Sequence, residues 1–109
     1  MNKMPENSII VNDMAGDIIK LRVSSTALID EMKLIGFSVN DQIMTLNVSN
    51  DQDKKRVIQL LIKAGASFLY GNGWCPSELM EYYKDQKLDI GKYKIIFWTD
   101  KDTYHIEER

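Results

Sequence analysis

Residues Ser67 to Leu88 read S-F-L-Y-G-N-G-W-C-P-S-E-L-M-E-Y-Y-K-D-Q-K-L, and this stretch decides how the chain folds. It is a short apolar strand, a glycine turn at Gly71-Asn72-Gly73, and a helix that starts at Pro76. Proline suits the first helical turn, where its missing N–H would have no intrahelical partner anyway. Glu78 then meets the positive end of the helix dipole. At about 100° per residue Leu79, Met80 and Tyr83 share one face. Glu78, Glu81 and Asp85 share the opposite one, with Tyr82 at its edge. One side packs and the other shows acid to water.

Upstream of this stretch, Ser8 to Val11 and Asp17 to Val23 read as two strands around an N-D-M-A-G turn. Ile19, Leu21 and Val23 alternate with Lys20 and Arg22, as in a sheet with one wet face. Ser24 or Ser25 caps a helix over Thr26 to Ile35, with Gly36 just past its end. Leu28, Met32 and Ile35 form its inward stripe. A strand over Gln42 to Val48 follows, with Met44, Leu46 and Val48 inward. Asn50 or Asp51 then caps a helix ending at Gly65, whose buried side is Val57, Ile58, Leu61 and Ile62. Lys54, Lys55 and Arg56 ride near its start.

Downstream, the helix from Pro76 closes between Leu88 and Gly91. Lys92 to Thr99 is the strongest strand: Tyr93, Ile95 and Phe97 on one face, Ile96 and Trp98 on the other, so it belongs inside a sheet. Thr103 to Glu107 returns as a polar edge strand with Tyr104 and Ile106 turned inward. The order ββαβα(β)αββ predicts an α+β fold, a mainly antiparallel sheet with three helices on one face. At 109 residues the chain forms a single globular domain over 1–109, with 1–7 a loose lead-in.

Apolar residues make up 44% and charged residues 28%, and the formal net charge is −2. That balance is globular, and it argues against nucleic acid as the partner. The lone cysteine, Cys75, permits no internal disulfide and points to a reducing compartment. With no apolar leader and no stretch of membrane-spanning length, the expectation is a cytoplasmic protein with no membrane partner.

The chemistry-bearing motifs are sparse. Trp74-Cys75-Pro76 superficially resembles a thioredoxin-type active site, but Glu78 stands where the second cysteine would be. Pro5 and Pro76 are the only prolines, so no later one can sit beside the thiol. The sole histidine, His105, with Asp100 and Asp102 in the adjoining turn, has neither zinc nor calcium-loop spacing. Gly71-Asn72-Gly73 lacks the lysine and third glycine of phosphate-binding loops. No cofactor, metal or catalytic residue is expected. A small thiol or metal enzyme would require Cys75 or His105 to be essential to an activity.

The run from Thr26 to Glu107 resembles the order of a winged helix, which would make 76–88 a recognition helix and 92–107 a wing. The resemblance implies DNA binding, but that helix would present Glu78, Glu81 and Asp85 to a polyanion. Tyr and Trp carry interface energy, and here they sit beside uncompensated acids. The expectation is a small acidic binding protein that inhibits a partner protein by occluding its basic site, of the toxin-immunity or phage counter-defence type. Tyr70, Trp74, Glu78, Glu81, Tyr82 and Asp85 are the candidate contact residues.

Overall fold

A computed structural model of the chain describes residues 8–14, 16–40, 43–70, 74–88, 90–100 and 103–109. The lead-in 1–7, the glycine turn 71–73 and Asp102 lie outside them. In chain order the elements are β1 (Ile9–Asp13), β2 (Ile18–Val23), α1 (Thr26–Ile35), β3 (Ser38–Asn40) and β4 (Ile43–Asn47). There follow α2 (Asp51–Lys63), β5 (Ser67–Leu69), α3 (Pro76–Asp85), β6 (Lys94–Trp98) and β7 (Tyr104–Glu108).

The strands form one seven-stranded sheet in the order β3-β4-β2-β1-β5-β6-β7. β1 and β5, and β5 and β6, pair parallel, while the other four pairs are antiparallel. Hence β4, β1, β5 and β6 run one way and β3, β2 and β7 the other. Each helix joins two co-directional strands: α1 joins β2 to β3, α2 joins β4 to β5, and α3 joins β5 to β6. Such a connection must leave the sheet and cross a face of it.

All three helices cross the same face. Met32 of α1, Val57, Ile58 and Leu61 of α2, and Met80 and Tyr83 of α3 join Val11, Leu21, Met44, Phe68 and Ile95 in one buried cluster. Phe68 on the short β5 is its pivot, with Trp74 and Tyr93 meeting its ring edge-on at centroid distances of 6.5 and 6.4 Å.

The helix starts follow their caps. Asn50 Oδ1 accepts from the Asp53 N–H at 2.8 Å, whereas Ser25 and Cys75 hold the cap positions of α1 and α3 without a side-chain bond. α2 ends on Gly65 at φ 84°, with the Ala66 N–H returning to the Leu61 carbonyl at 3.0 Å. Left-handed backbone is what closes a helix this way, and glycine adopts it without steric cost.

Three expectations need correction. Ser38–Asn40 adds a strand that sequence reading passed over. It is a three-residue edge, exposed throughout, and too polar to show alternation. α3 stops at Asp85 rather than in the Leu88 to Gly91 region because Lys87 takes φ 66°. The Leu88 N–H then bonds back to the Tyr83 carbonyl at 3.1 Å, so a lysine closes this helix where glycine usually does. Finally, Tyr104 and Ile106 do not turn toward the core. They pair with Trp98 and Ile96, on the face that no described helix crosses, and Trp98 packs against Tyr104 there at 5.1 Å.

Candidate functional site

The carboxyl end of β4 delivers Asn50 to the start of α2, and Asp51 is the first residue of that helix. Its carboxylate is held by two phenols from α3. Tyr82 Oη donates to Oδ2 at 3.2 Å and Tyr83 Oη to Oδ1 at 3.4 Å. The two rings meet edge-on at 5.0 Å. This clamp joins the start of α2 to the middle of α3, and nothing in the local sequence of either segment announces it.

Lys54, one turn into α2, is 9% exposed. Its Nζ donates to the Gly16 carbonyl at 3.1 Å, latching the β1–β2 connection onto the helix. Burial lowers its pKa from the usual lysine value, while the charges of Asp51, Asp17 and Asp13 oppose that shift. Gly16, Asp17, Val48, Asn50, Asp51 and Lys54 line a cleft of about 300 Å³ at the carboxyl ends of β1 and β4. The three consecutive cations therefore do not share a surface. Lys54 turns inward and Arg56 pairs with Asp53 at 3.3 Å.

Beside the clamp runs the exposed side of α3. Glu78, Glu81, Tyr82 and Asp85 are all exposed, at spacings i, i+3, i+4 and i+7 that align them along one stripe. Among the described residues none of the three acids forms an ion pair. Lys84, the cation nearest in sequence, instead lies over the Tyr93 ring, 5.7 Å from its centroid. Asp51, exposed and bonded to Tyr82, extends the acidic surface across to α2.

The other two candidate residues sit differently. Trp74 is half-buried, with its indole N–H donating to the Asn12 carbonyl at 2.9 Å. It fixes the start of α3 to β1. Tyr70 is 51% exposed, and its ring leans on Phe97 at 4.9 Å. Phe97 in turn stacks on His105 at 5.0 Å. The structure thus brings Glu78, Glu81, Tyr82 and Asp85 together and sets Tyr70 and Trp74 in other packing arrangements.

No three His, Cys, Asp or Glu side chains among the described residues stand together as a metal site, and no described helix is long and apolar enough to cross a membrane. The hairpin β6–β7 is bonded into the main sheet through β5. The helix that would enter a DNA groove exposes Glu78, Glu81 and Asp85 along one stripe. No protein-family model, curated protein or solved structure matches the chain.

The clamp has a measurable consequence in alkali. Burial, and then the Asp51 charge and hydrogen bond, push the Tyr83 phenol up to about 12. A group whose folded pKa lies above its unfolded value keeps its proton longer in the native state. Its stabilising contribution is therefore complete below pH 10 and lost as pH climbs through the folded value. Urea denaturation midpoints should fall between pH 10 and about 12, and Tyr83→Phe should flatten that part of the profile. Identical profiles for the two proteins would remove the clamp from the account.

Proposed function

We propose that this chain is a small protein-binding domain that occludes a basic site on a partner protein, as immunity proteins and phage counter-defence proteins do. The observation that carries the reading is the uncompensated acid stripe Glu78–Glu81–Asp85, with half-exposed Tyr82 at its centre and Asp51 beside it. An aromatic within a ring of like charges suits a buried anchor surrounded by steering groups. The stripe lies on a regular helix held by Met80 and Tyr83 beneath it, so little ordering is needed on binding. Trp74 supports this surface by fixing the approach to α3.

The test uses two baits, the unmodified chain and the Glu78→Lys, Glu81→Lys variant, each incubated with lysate of the native host. The protein retained by the first and lost by the second is then purified and titrated. Charge reversal should weaken its binding by about 10- to 100-fold at low ionic strength, mostly through the association rate, with the difference shrinking as salt rises. Equal recovery on both baits, or an affinity indifferent to salt, would count against the reading. Both exchanged positions are exposed, so the fold is expected to persist, with the melting point lowered only by the loss of Glu78 from the positive end of α3.

A further inference from the structure

β7 is the outer strand of the sheet. It carries neither proline nor lysine, and its pairing with β6 runs without a bulge. Natural edges are commonly blunted by such features or by charged side chains, and of these β7 has only the carboxylates Glu107 and Glu108 near its end. Tyr104 and Ile106 are 36% and 42% exposed.

The direction of its free backbone groups follows from the ladder. Tyr93 and Arg109 exchange both N–H···O bonds, at 2.9 and 2.8 Å, and the Thr99 N–H donates to the Thr103 carbonyl at 2.8 Å. In an antiparallel pair such residues alternate with ones that face away. The odd-numbered residues, His105 and Glu107 among them, therefore bond inward to β6. The N–H and C=O groups of Tyr104, Ile106 and Glu108 point out of the sheet edge.

We propose that β7 is a self-association edge, on which two copies of this chain pair antiparallel about a two-fold axis at Ile106. Three independent features agree with this register. First, Ile106 opposes Ile106 of the second copy, and Tyr104 opposes Glu108, so every residue pair that must exchange backbone bonds is one whose groups point outward. Second, His105 of each copy falls opposite Glu107 of the other, at a position where cross-strand side chains approach closely. Glu107 already accepts from His105 and Arg109 within one chain, at 3.1 Å each, so the same donors and acceptor recur across the axis. Third, Leu69, Ile96 and Ile106 lie in one row across β5, β6 and β7. The two-fold axis continues that row into the same row of the second copy. Because the axis stands perpendicular to the sheet, both helical layers lie on the same side of the joined sheet.

A partner strand from another protein would use the same backbone groups but would not need the His105–Glu107 complementarity, and this distinguishes the two. Sedimentation equilibrium of the full chain, over roughly 1–200 µM to span micromolar dissociation constants, should show the mass rising from 12.6 kDa toward twice that. Ile106→Pro removes an N–H that no described residue accepts, at an edge position where proline is tolerated. It should weaken dimerisation at least about tenfold while leaving the circular dichroism of the dilute protein unchanged. His105→Glu sets like charges opposite each other and should also weaken it, and adding Glu107→Lys should restore it. A chain that stays at the single mass up to the highest concentration overturns the proposal. So does a dimer indifferent to Ile106→Pro, or a double variant no tighter than His105→Glu alone. Should the proline variant fail to fold, the charge pair decides.

Discussion

Phe68→Ala is expected to cost about 3–5 kcal/mol, the range for emptying a buried aromatic position. The side chain is fully buried. Its strand lies between β1 and β6, and its ring is contacted edge-on by Trp74 and Tyr93. Those two residues sit on the segments before and after α3, so the vacated space loosens the helix at both ends. Small domains are stable by roughly 5–15 kcal/mol in all, so this single change removes a large share of the total. Calorimetry should find the melting midpoint lower by at least roughly 12 °C at this chain length. The Trp74 fluorescence transition should broaden or move with it. A loss under about 1 kcal/mol, below any buried aromatic truncation, would mean that Phe68 is not the pivot between sheet and helices.

The short strand that carries Phe68 was legible in the sequence because it lies in a stretch where local and global signals agree; the role of Phe68 as pivot was not. Pro76 starts α3, and the Leu79, Met80, Tyr83 spacing gives its inner face. The boundaries of α1 follow equally from its stripe and from Gly36. β6 shows itself by being apolar on both sides. Where the reading failed, the deciding quantity was not local. β3 exists only because β4 offers it an edge, and its three residues have no pattern of their own. Lys87 takes a backbone conformation for which its residue type gives no sign. Tyr104 and Ile106 alternate as a core-facing strand does, yet which face is the core depends on where all three helices cross. Periodicity states that two faces differ and leaves open which one is covered.

The acidic stripe was legible for the same reason as the inner face of α3, since it is the complement of the buried positions on a 3.6-residue period. Asp51 was not. Its sequence signature is that of a capping residue, and only the packing of α2 beside α3 brings it to Tyr82 and Tyr83, 31 and 32 residues away. Trp74 was a candidate contact residue because Tyr and Trp carry interface energy. Its indole N–H is instead committed to the β1 backbone.

Lys54 is where sequence and structure diverge most, and its substitution separates two roles. As one of three consecutive cations it reads as solvated charge, for which replacement would change stability by less than about 0.5 kcal/mol. The structure instead gives a stem packed under the β1–β2 connection and an ammonium bonded to Gly16 and faced by Asp13, Asp17 and Asp51. Lys54→Met keeps the stem and deletes the ammonium. The Gly16 carbonyl is then free to take water on its exposed residue, so the expected change is within about 1 kcal/mol. Lys54→Ala also removes three methylenes from a buried position, at about 0.8 kcal/mol each, for a loss of about 2–3 kcal/mol. Lys54→Glu buries a carboxylate among three others and should cost about 3–5 kcal/mol, the penalty of an uncompensated buried charge. Urea denaturation of the four proteins should therefore rank them native and Met together, then Ala, then Glu. Four equal midpoints would return Lys54 to the surface and release the β1–β2 connection from α2.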